Sequence, residues 1–568
     1  MNVIKNDIEI IKLKTDILII GGGTAGSYAG VRIKEENPDV NVLIVEKAHI
    51  ERSGCLGAGI SAINAYLNPG VTPESFVEYI KKDSEGLVRE DLIYTIAQGV
   101  NKATKKLEEW GVPFLKDEVG NYVPKGRRSV KINGEHIKPI MAQAVKKSGV
   151  DILNRVNITN YLVEDNRIKG AFGFSVRENK FYFIQAKAVI CATGGASGIY
   201  KPNNPGGARH KMWYSPFNTG AGYAMGIRAG AEMTTFEMRF IALRTKDIIS
   251  PTGTLALSFN AKQINSQGVE YQKNYEKNTT PFRLYATMKE NQEGRGPCYL
   301  DITHLSDEES HHLQEAFLNM SPDIILKWAE EEIKPNAEPV EIYGTEPYIV
   351  GGHSQSGYWV DVTRQTTIEG LYASGDVAGG APKKYVTGCM VEGKIAGLNA
   401  LEDIKDIKFE EINQALIEKE FNRTFNFLEN KGEITPQKLE ERLQKIMDEY
   451  AGGLSTNYQI YEEKLLVARE LLKKLKEDLK HGRVRNKHQL MKLHEVIDRT
   501  LVAQVLVEHL LYRKETRWKS YQQRIDYPKK DDENWFKFVN SCYDEQVEKI
   551  KIIEREHVGL GVLDDSQN

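Results

Sequence analysis

The stretch that decides the fold is TDILIIGGGTAGSYAG, residues 15–30. It begins as an apolar run typical of a buried strand and continues as a glycine turn of the spacing Gly21-x-Gly23-x-x-Gly26. In such a turn the first glycine allows the tight bend, the second lets a pyrophosphate approach the backbone, and the third lets the helix pack on the strand. The stretch therefore predicts a βαβ unit that binds a dinucleotide.

The residues around this turn favour the same interpretation. Thr24 and Ala25 open a segment with helical spacing, whose N-terminus would face the phosphates. A second apolar strand, VNVLIVEK, ends on Glu46 and Lys47, and an acidic residue at that point can bind a ribose hydroxyl. A glycine motif alone is weak evidence, but two strands and Glu46 make a dinucleotide site the best interpretation.

Bulk composition narrows the possible classes of protein. The chain has 568 residues, 40% of them hydrophobic, and a formal net charge of −3, which suits several domains and argues against a general nucleic-acid binder. The five cysteines form no CxxC pair, so we expect neither a disulfide framework nor a metal or iron–sulfur site in this chain. No signal peptide or apolar membrane span is evident, and we expect a cytoplasmic protein.

Three later segments indicate FAD rather than NAD as the dinucleotide. Two are further strand–glycine turns, CATGG at 191–195 and ASGDVAGG at 373–380. The third is ERSGCLGAGISAIN at 51–64, whose glycines would let backbone run closely along a flavin. The expected cofactor contacts in these segments are Ser53, Gly54, Gly57, Gly59, Ser61, Thr193, Gly194, Gly195, Gly375 and Asp376.

The predicted fold class is α/β, with a Rossmann-like FAD-binding domain, an inserted α+β capping domain and a C-terminal helical domain. We place the FAD-binding domain at 1–236 and 342–400, because all three glycine turns fall there. The capping domain would span 237–341, which has no nucleotide motif. Long Lys/Glu/Leu stretches with helical periodicity assign 401–568 to the C-terminal domain.

These segments together resemble the succinate dehydrogenase and fumarate reductase flavoproteins. In those relatives a histidine in the flavin segment carries the flavin covalently, whereas the matching ERSGC here has none, so we expect non-covalent FAD. The histidine and arginine that bind dicarboxylates there are also missing, since the matching segments read EPYIVGGH and APKKYVTGCMVEG. A dicarboxylate substrate is therefore disfavoured.

The resemblance to one branch of that group, the adenylylsulfate reductase α subunits, covers nearly the whole chain. It is carried by ERSGCLGAGISAIN, GLVREDL, LEEWGVPF, KINGEHIKPIMAQA, FEMRFIALRTKD, EGRGPCYLDI and TEPYIVGGHSQSGYWV, in this order. It implies that Asn64, Glu135, Arg239 and Arg295 contact a sulfonucleotide, with Arg295 against the adenine. Trp213 would lie over the flavin or in the core, and His353 near the flavin.

The sequence departs from that family at the sulfate and adenine contacts. Lys383 stands where the family has a histidine beside the sulfate, and Thr252 where it has an apolar residue against the adenine. Further cations gather nearby at Lys384, Arg127 and Arg128. Such a run is often a solvated face, but it can also bind a second phosphate, so we expect 3′-phosphoadenylylsulfate or adenylylsulfate as substrate, with a slight preference for the former.

The resemblance also implies a mechanism and a partner. Reduced FAD would attack the sulfate sulfur through N5, forming a flavin–sulfite adduct and releasing the nucleotide, with Arg239, Lys383 and Asn64 as the catalytic residues. Electrons would come from a ferredoxin-like β subunit with two [4Fe–4S] clusters, in an (αβ)₂ assembly. Two alternatives remain: a fumarate reductase or L-aspartate oxidase type of dehydrogenase, and a flavin electron relay.

Overall fold

The first glycine turn lies at the edge of a seven-stranded sheet in the computed structural model, which describes residues 5–207, 209, 211–248, 259–318, 322–430 and 432–563. The strands of this sheet follow the order β5-β2-β1-β8-β7-β6, and β15 pairs with β8. They are β1 Glu9–Ile20, β2 Val42–Glu46, β5 Asp151–Asn154, β6 Val156–Glu164, β7 Arg167–Ser175, β8 Lys180–Cys191 and β15 Leu371–Ala373.

The central strands of this sheet are parallel, and helices cover both of their faces. Ile17 to Ile20 of β1 pair with Val42 to Val45 of β2, and β1 also runs parallel to β8 over its whole length. The side chains of Ile17, Leu18 and Ile19 are completely buried, as a continuous apolar run predicts for such a strand. Because these strands share a direction, their carboxyl ends and the turns that follow them lie at one edge of the sheet.

Two smaller sheets flank this unit. One has the order β10-β13-β12-β11 and carries a core of its own, which includes Leu300, Ile302 and Trp328. The other, β14-β9-β18-β19, joins a C-terminal hairpin to the middle of the chain. The remaining strands are β3 Ala62–Asn64, β4 Ser129–Lys131, β9 Met233–Thr234, β10 Leu243–Thr245, β11 Lys262–Ile264, β12 Cys298–Asp301, β13 Val340–Gly344, β14 Gly357–Tyr358, β16 Gln459–Ile460, β17 Gln523–Arg524, β18 Lys537–Asp544 and β19 Lys549–Glu556.

The helices divide between the three parts of the chain. They are α1 Thr24–Glu36, α2 Pro73–Asp83, α3 Glu90–Glu109, α4 Ile137–Lys147, α5 Ala221–Arg228, α6 Thr280–Gln292, α7 Asp307–Leu318, α8 Asp323–Glu330, α9 Tyr385–Asp403, α10 Gln414–Phe425, α11 Pro436–Tyr450, α12 Glu462–Leu479, α13 Lys487–Tyr512 and α14 Asp532–Trp535. Among the described residues, no helix combines the length and apolar character needed to cross a membrane.

The fold class predicted from the sequence is confirmed. A Rossmann-like sheet carries the glycine turns, a mixed α/β insertion follows it, and helices α10 to α13 make up most of the C-terminal part. The C-terminal part also contains the β18–β19 hairpin, which the helical periodicity of the sequence did not indicate. The exact domain bounds stay a prediction.

Candidate active site

A cavity of about 530 Å³ opens at the carboxyl ends of β1, β2, β8 and β15. We call it the large cavity. Its walls come from the turn after β1, the end of β2, the segment 52–58, the turn after β8, the segment 212–219 and the turn after β15. Three glycine turns that are far apart in sequence therefore meet at one site, as parallel strands require.

Close backbone packing shapes the first turn. Gly21 has φ 103°, and a Cβ there would lie 2.5 Å from the Ala192 carbonyl oxygen. A Cβ on Gly26 would overlap the carbonyl oxygen of Gly21. The backbone N–H of Gly22 donates to Oε2 of Glu46 at 2.8 Å, which fixes the carboxylate at the end of β2.

Three buried hydroxyl groups show that the large cavity suits a polar ligand. The hydroxyls of Ser53, Thr219 and Ser374 line it, are shielded from solvent and have no hydrogen-bond partner within the part of the chain that the structure describes. A buried polar group without a partner costs about 1–3 kcal/mol, so these positions favour a ligand that supplies the missing partners. The phosphate, ribityl and ribose oxygens of a dinucleotide meet that need.

A small cavity of about 30 Å³ lies beyond Met212 and Trp213, which line both spaces. The Arg244 guanidinium stacks on the Trp213 ring at 4.7 Å from its centroid, on the side of the small cavity. Arg244 is 6% exposed, and among the described residues its guanidinium has neither a hydrogen bond nor an acidic partner. Burial lowers the pKa of Arg244 to about 9, so it stays charged at neutral pH.

An arginine in these surroundings is the type of group that binds an anion. A buried charge is expensive unless another charge or hydrogen bonds compensate for it. Glu346 lines the same small cavity, but its two carboxylate oxygens accept from Tyr348 and from the Asn203 backbone. Burial raises the pKa of Glu346, the Arg244 charge opposes this shift, and no hydrogen bond joins the two side chains among the described residues. The natural counter-charge is therefore an anionic ligand.

Comparison with known proteins connects this geometry to a family. A family model described as "FAD binding domain" matches residues 16–389, and one described as "Fumarate reductase flavoprotein C-term" matches 440–562. The adenylylsulfate reductase subunit alpha of Megalodesulfovibrio gigas is 32% identical over 96% of both chains.

The chain belongs to the adenylylsulfate reductase α-subunit family.

Solved structures agree with this assignment. The adenylylsulfate reductase of Archaeoglobus fulgidus superimposes with a TM-score of 0.94 at 36% identity, covering 98% of each chain. A structure described as adenosine-5-phosphosulfate reductase in complex with sulfite, a covalent adduct, matches equally well. The prediction of an FAD-binding oxidoreductase of this family is confirmed.

Most of the cofactor residues expected in such a reductase line the large cavity. They are Gly21, Gly23, Thr24, Ala25, Glu46, Lys47, Ser53, Gly54, Gly57, Thr193, Gly194, Gly375 and Asp376. The sequence analysis missed Tyr214, Thr219 and Ser374, which also line it. Tyr214 donates to Asp376 at 2.8 Å and accepts from the Gly195 N–H at 2.8 Å, so it joins the second and third turns.

The other expected cofactor residues lie just behind the cavity wall. Gly26 packs against Gly21, and Gly195 meets the backbone at Ile349. Gly59 has φ 77° and ends a short helical turn at Cys55–Ala58. Ser61 accepts from Lys125 at 3.3 Å.

His353 lies in an aromatic cluster beside the cavity rather than in its wall. Its ring centroid is 4.7 Å from Phe240, 4.9 Å from Trp213 and 5.6 Å from Tyr385. Burial lowers the pKa of His353 to about 4, and the positive charges of Arg244 and Lys383 act in the same direction. The imidazole is therefore neutral at physiological pH.

Arg239 occupies a different position from the one predicted. Its side chain is completely buried and donates to the carbonyls of Tyr521, Ala451 and Gly452 and to the Tyr200 hydroxyl. With every nitrogen committed to protein acceptors, it ties the C-terminal part to the FAD-binding part. Arg244, five residues later in the same segment, is the arginine that lines the small cavity.

The cations expected to bind a second phosphate are largely engaged within the protein. Lys384 is 0% exposed and donates to the carbonyls of Gly375 and Ala378, with Glu392 at 2.9 Å as its counter-ion. Lys383 forms a 2.5 Å ion pair with Asp83 and lies 4.4 Å from the Tyr79 ring centroid. Lys384 is thus a structural cation, contrary to the expectation of a substrate contact.

The other expected substrate residues are Asn64, Arg127, Arg128, Glu135, Arg295 and Thr252. Asn64 accepts from Ser129 at 2.9 Å, and the Arg128 guanidinium lies over the Tyr79 ring at 4.2 Å from its centroid. Glu135 is exposed and pairs with His136, and Arg127 is exposed. Arg295 forms ion pairs with Glu290 and Glu293. Thr252 lies outside the described residues.

Proposed function

We propose that the chain is the FAD-carrying catalytic subunit of a sulfonucleotide reductase that converts adenylylsulfate to sulfite and AMP. The observation that carries this proposal is Arg244, a buried guanidinium that has no hydrogen bond or ion pair among the described residues and stacks on the tryptophan that lines both cavities. Guanidinium is the natural binder of sulfate and phosphate oxygens. The substrate carries both groups next to each other.

In this proposal reduced FAD, when bound in the large cavity, would supply the two electrons that reduce the sulfur. The bond between sulfur and the bridging oxygen breaks, and its electron pair leaves with AMP. Arg244 would hold the oxygens that gain charge in this step, which a preformed, water-poor site does efficiently. Asn64 and Lys383 would orient the sulfate end, and Glu135 and Arg295 the adenosine end.

The structure favours adenylylsulfate over its 3′-phosphorylated form. A second phosphate would need cations without internal partners, yet Lys384, Lys383 and Arg295 are each paired with a carboxylate. Arg127, which is exposed, and Arg128 remain as candidates. We therefore expect higher kcat/KM with adenylylsulfate than with 3′-phosphoadenylylsulfate.

Electrons must come from a partner. Among the described residues no group of histidine, cysteine or acidic side chains could hold a metal ion. We propose a ferredoxin-like β subunit with two [4Fe–4S] clusters, an (αβ)₂ assembly in the cytoplasm, and FAD that acid denaturation releases intact because it is not covalently bound.

Turnover assays with the purified chain test the proposal. The FAD-loaded chain is supplied with a reduced viologen dye, and sulfite and nucleotide are measured with adenylylsulfate, 3′-phosphoadenylylsulfate or fumarate as substrate. Sulfite and AMP in equal amounts from adenylylsulfate support the proposal. Fumarate reduction without sulfite release would instead identify a dicarboxylate reductase, and no turnover of any of the three would favour an electron relay.

A further inference from the structure

A buried lysine contacts the first glycine turn without lining the large cavity. Lys138, in the first turn of α4, is 1% exposed. Its Nζ donates to the Gly22 carbonyl at 2.6 Å and to the Ile50 carbonyl. Within the part of the chain that the structure describes, no acidic side chain forms an ion pair with it. Two neutral carbonyls therefore hold a full positive charge beside the turn.

This position is unfavourable for a cation. A buried charge loses its hydration, and neutral acceptors replace that hydration only in part. The first turn of a helix adds to the cost, because the helix dipole disfavours positive charge there. The two carboxylates that act on Lys138 electrostatically, Glu46 and Glu51, have other partners. Glu46 accepts from two backbone N–H groups, and Glu51 pairs with Lys146.

The contact with Gly22 sets the direction of one peptide group. The Gly22 carbonyl accepts from Lys138 and, at 3.0 Å, from the Ser27 hydroxyl of α1. The peptide bond between Gly22 and Gly23 is trans, so its N–H points opposite to its carbonyl. Gly23 itself lines the large cavity. Lys138 and Ser27 thus hold the carbonyl on one side and leave the Gly23 N–H directed to the other.

We propose that Lys138 is a positioning residue for the pyrophosphate of FAD. It holds the peptide between Gly22 and Gly23 so that the N–H faces the cavity, and its charge is the one that the pyrophosphate balances. Pyrophosphate is the anion that a glycine turn of this spacing binds at a helix N-terminus. A cation on the carbonyl side also polarises the peptide and strengthens its N–H as a donor. The inference does not depend on which sulfonucleotide the enzyme reduces.

The protonation of Lys138 separates this role from a purely structural one. Burial lowers the pKa of Lys138 to about 8, and the charges of Glu46 and Glu51 oppose this shift. Bound pyrophosphate favours the protonated amine and raises that pKa again. FAD affinity should therefore be highest below pH 8 and fall as the pH rises through this value. A lysine that only ties the Ile50 segment to the turn gives no such dependence.

Dissociation constants for FAD between pH 6.5 and 9 test the inference. The FAD-loaded enzyme is diluted in steps, equilibrated and ultrafiltered, and free FAD is read by fluorescence after all filtrates are brought to one pH. For the wild type we expect a Kd about 10-fold higher at pH 9 than at pH 7. Lys138→Met should raise the Kd about 10- to 100-fold at pH 7 and remove its pH dependence. Lys138→Arg, which stays charged throughout, should also remove the dependence, with a smaller loss of affinity.

Lys146→Met, at the exposed end of the same helix, is the matched control. It should leave the Kd and its pH profile within about twofold of the wild type. A wild-type Kd that stays constant from pH 7 to 9 would overturn the inference, even if both Lys138 variants failed to fold. An unchanged Kd in Lys138→Met would do the same. Parallel pH profiles in the wild type and the Lys138 variants would also overturn it, because another group would then be titrating.

Discussion

Two arginines of one short segment, Arg239 and Arg244, show how strongly a side chain's surroundings decide what it does. Both are nearly or completely buried. Arg239 has protein acceptors around its guanidinium, which makes it part of the framework. Among the described residues Arg244 has none, so its buried charge is unfavourable until a ligand compensates for it.

This contrast predicts opposite effects on stability. Arg244→Met should lower kcat/KM for adenylylsulfate about 100- to 1000-fold, because the developing charge loses its main cation. It should also raise the melting temperature, because an unpartnered buried charge is removed. Steady-state kinetics and calorimetric melting of one preparation measure both.

Arg239→Met is the matched control, and it should lower the melting temperature because several buried carbonyls lose their donor. A stable Arg239→Met variant, or a destabilised Arg244→Met variant, would contradict the roles assigned here.

His353 gives a second prediction at this scale. With a pKa lowered to about 4 by burial, the imidazole is neutral from pH 5.5 to 8.5 and does not change charge there. Its substitution by asparagine should therefore alter the level of kcat/KM but not the shape of its pH profile in that range. A wild-type step near pH 6.5 that disappears in His353→Asn would show that the imidazole titrates during the reaction.

At the scale of elements, the glycine turns carry the cofactor site. The third glycine of the first turn is where α1 crosses closest to the strand end, since a Cβ on Gly26 would overlap the Gly21 carbonyl. To remove the overlap that a Cβ at this position would cause, α1 would have to move away from β1. This movement would displace the helix N-terminus that faces the cavity.

Gly26→Ala should accordingly weaken FAD binding about 10- to 100-fold, which corresponds to the 1–3 kcal/mol usual for overpacking. FAD fluorescence after ultrafiltration measures the change. Gly561→Ala is the control, because a Cβ there meets no atom within 4 Å and the backbone is not in the left-handed region. Similar FAD retention in both variants would argue against the packing role of Gly26.

How far the sequence could predict the site differs between these elements. Strand, glycine and helix periods are local, and they located the turns at Gly21, Thr193 and Gly375 correctly. The roles of Arg239 and Lys384 could not be predicted from their local sequence. The Tyr521 carbonyl, which accepts from Arg239, lies about 280 residues away, and the counter-ion of Lys384 is Glu392, farther along helix α9. Thr219 and Ser374 were missed for the same reason: a hydroxyl that lacks a partner among the described residues can be recognised only when its neighbours are known.

At the scale of the whole molecule, the C-terminal part supports one residue in the wall of the large cavity. Lys47, at the end of β2, donates to the Phe217 carbonyl at 2.5 Å and to Glu495 of α13 at 3.1 Å. Glu495 is 2% exposed. Burial would raise its pKa, but Lys47, Lys492 and Arg499 together lower that pKa to about 2.

This ion pair gives a pH-dependent prediction. The lowered pKa means that Glu495 contributes stability above its ordinary pKa of 4.5, and that the contribution is lost as the pH falls towards 2. Glu495→Gln should thus cost about 2 kcal/mol between pH 5 and 8, and the difference from wild type should shrink below pH 4.5. Denaturant unfolding at several pH values measures it.

The surface pair of α12 supplies the control. Glu477 and Lys480 are both more than half exposed, so Glu477→Gln should change stability by less than about 1 kcal/mol at every pH. A constant difference between wild type and Glu495→Gln down to pH 3 would show that the carboxylate charge does not carry the stabilisation.

The Lys47–Glu495 contact also constrains when the cofactor can be captured during synthesis. The first glycine turn leaves the ribosome early, but β15 and its turn complete the cavity wall only after residue 376, and Glu495 arrives more than a hundred residues later. A nascent chain can fold its first βαβ unit yet cannot enclose the flavin. Loading with FAD is therefore a late event in biogenesis, and a chain that stalls before α13 should leave the ribosome without it.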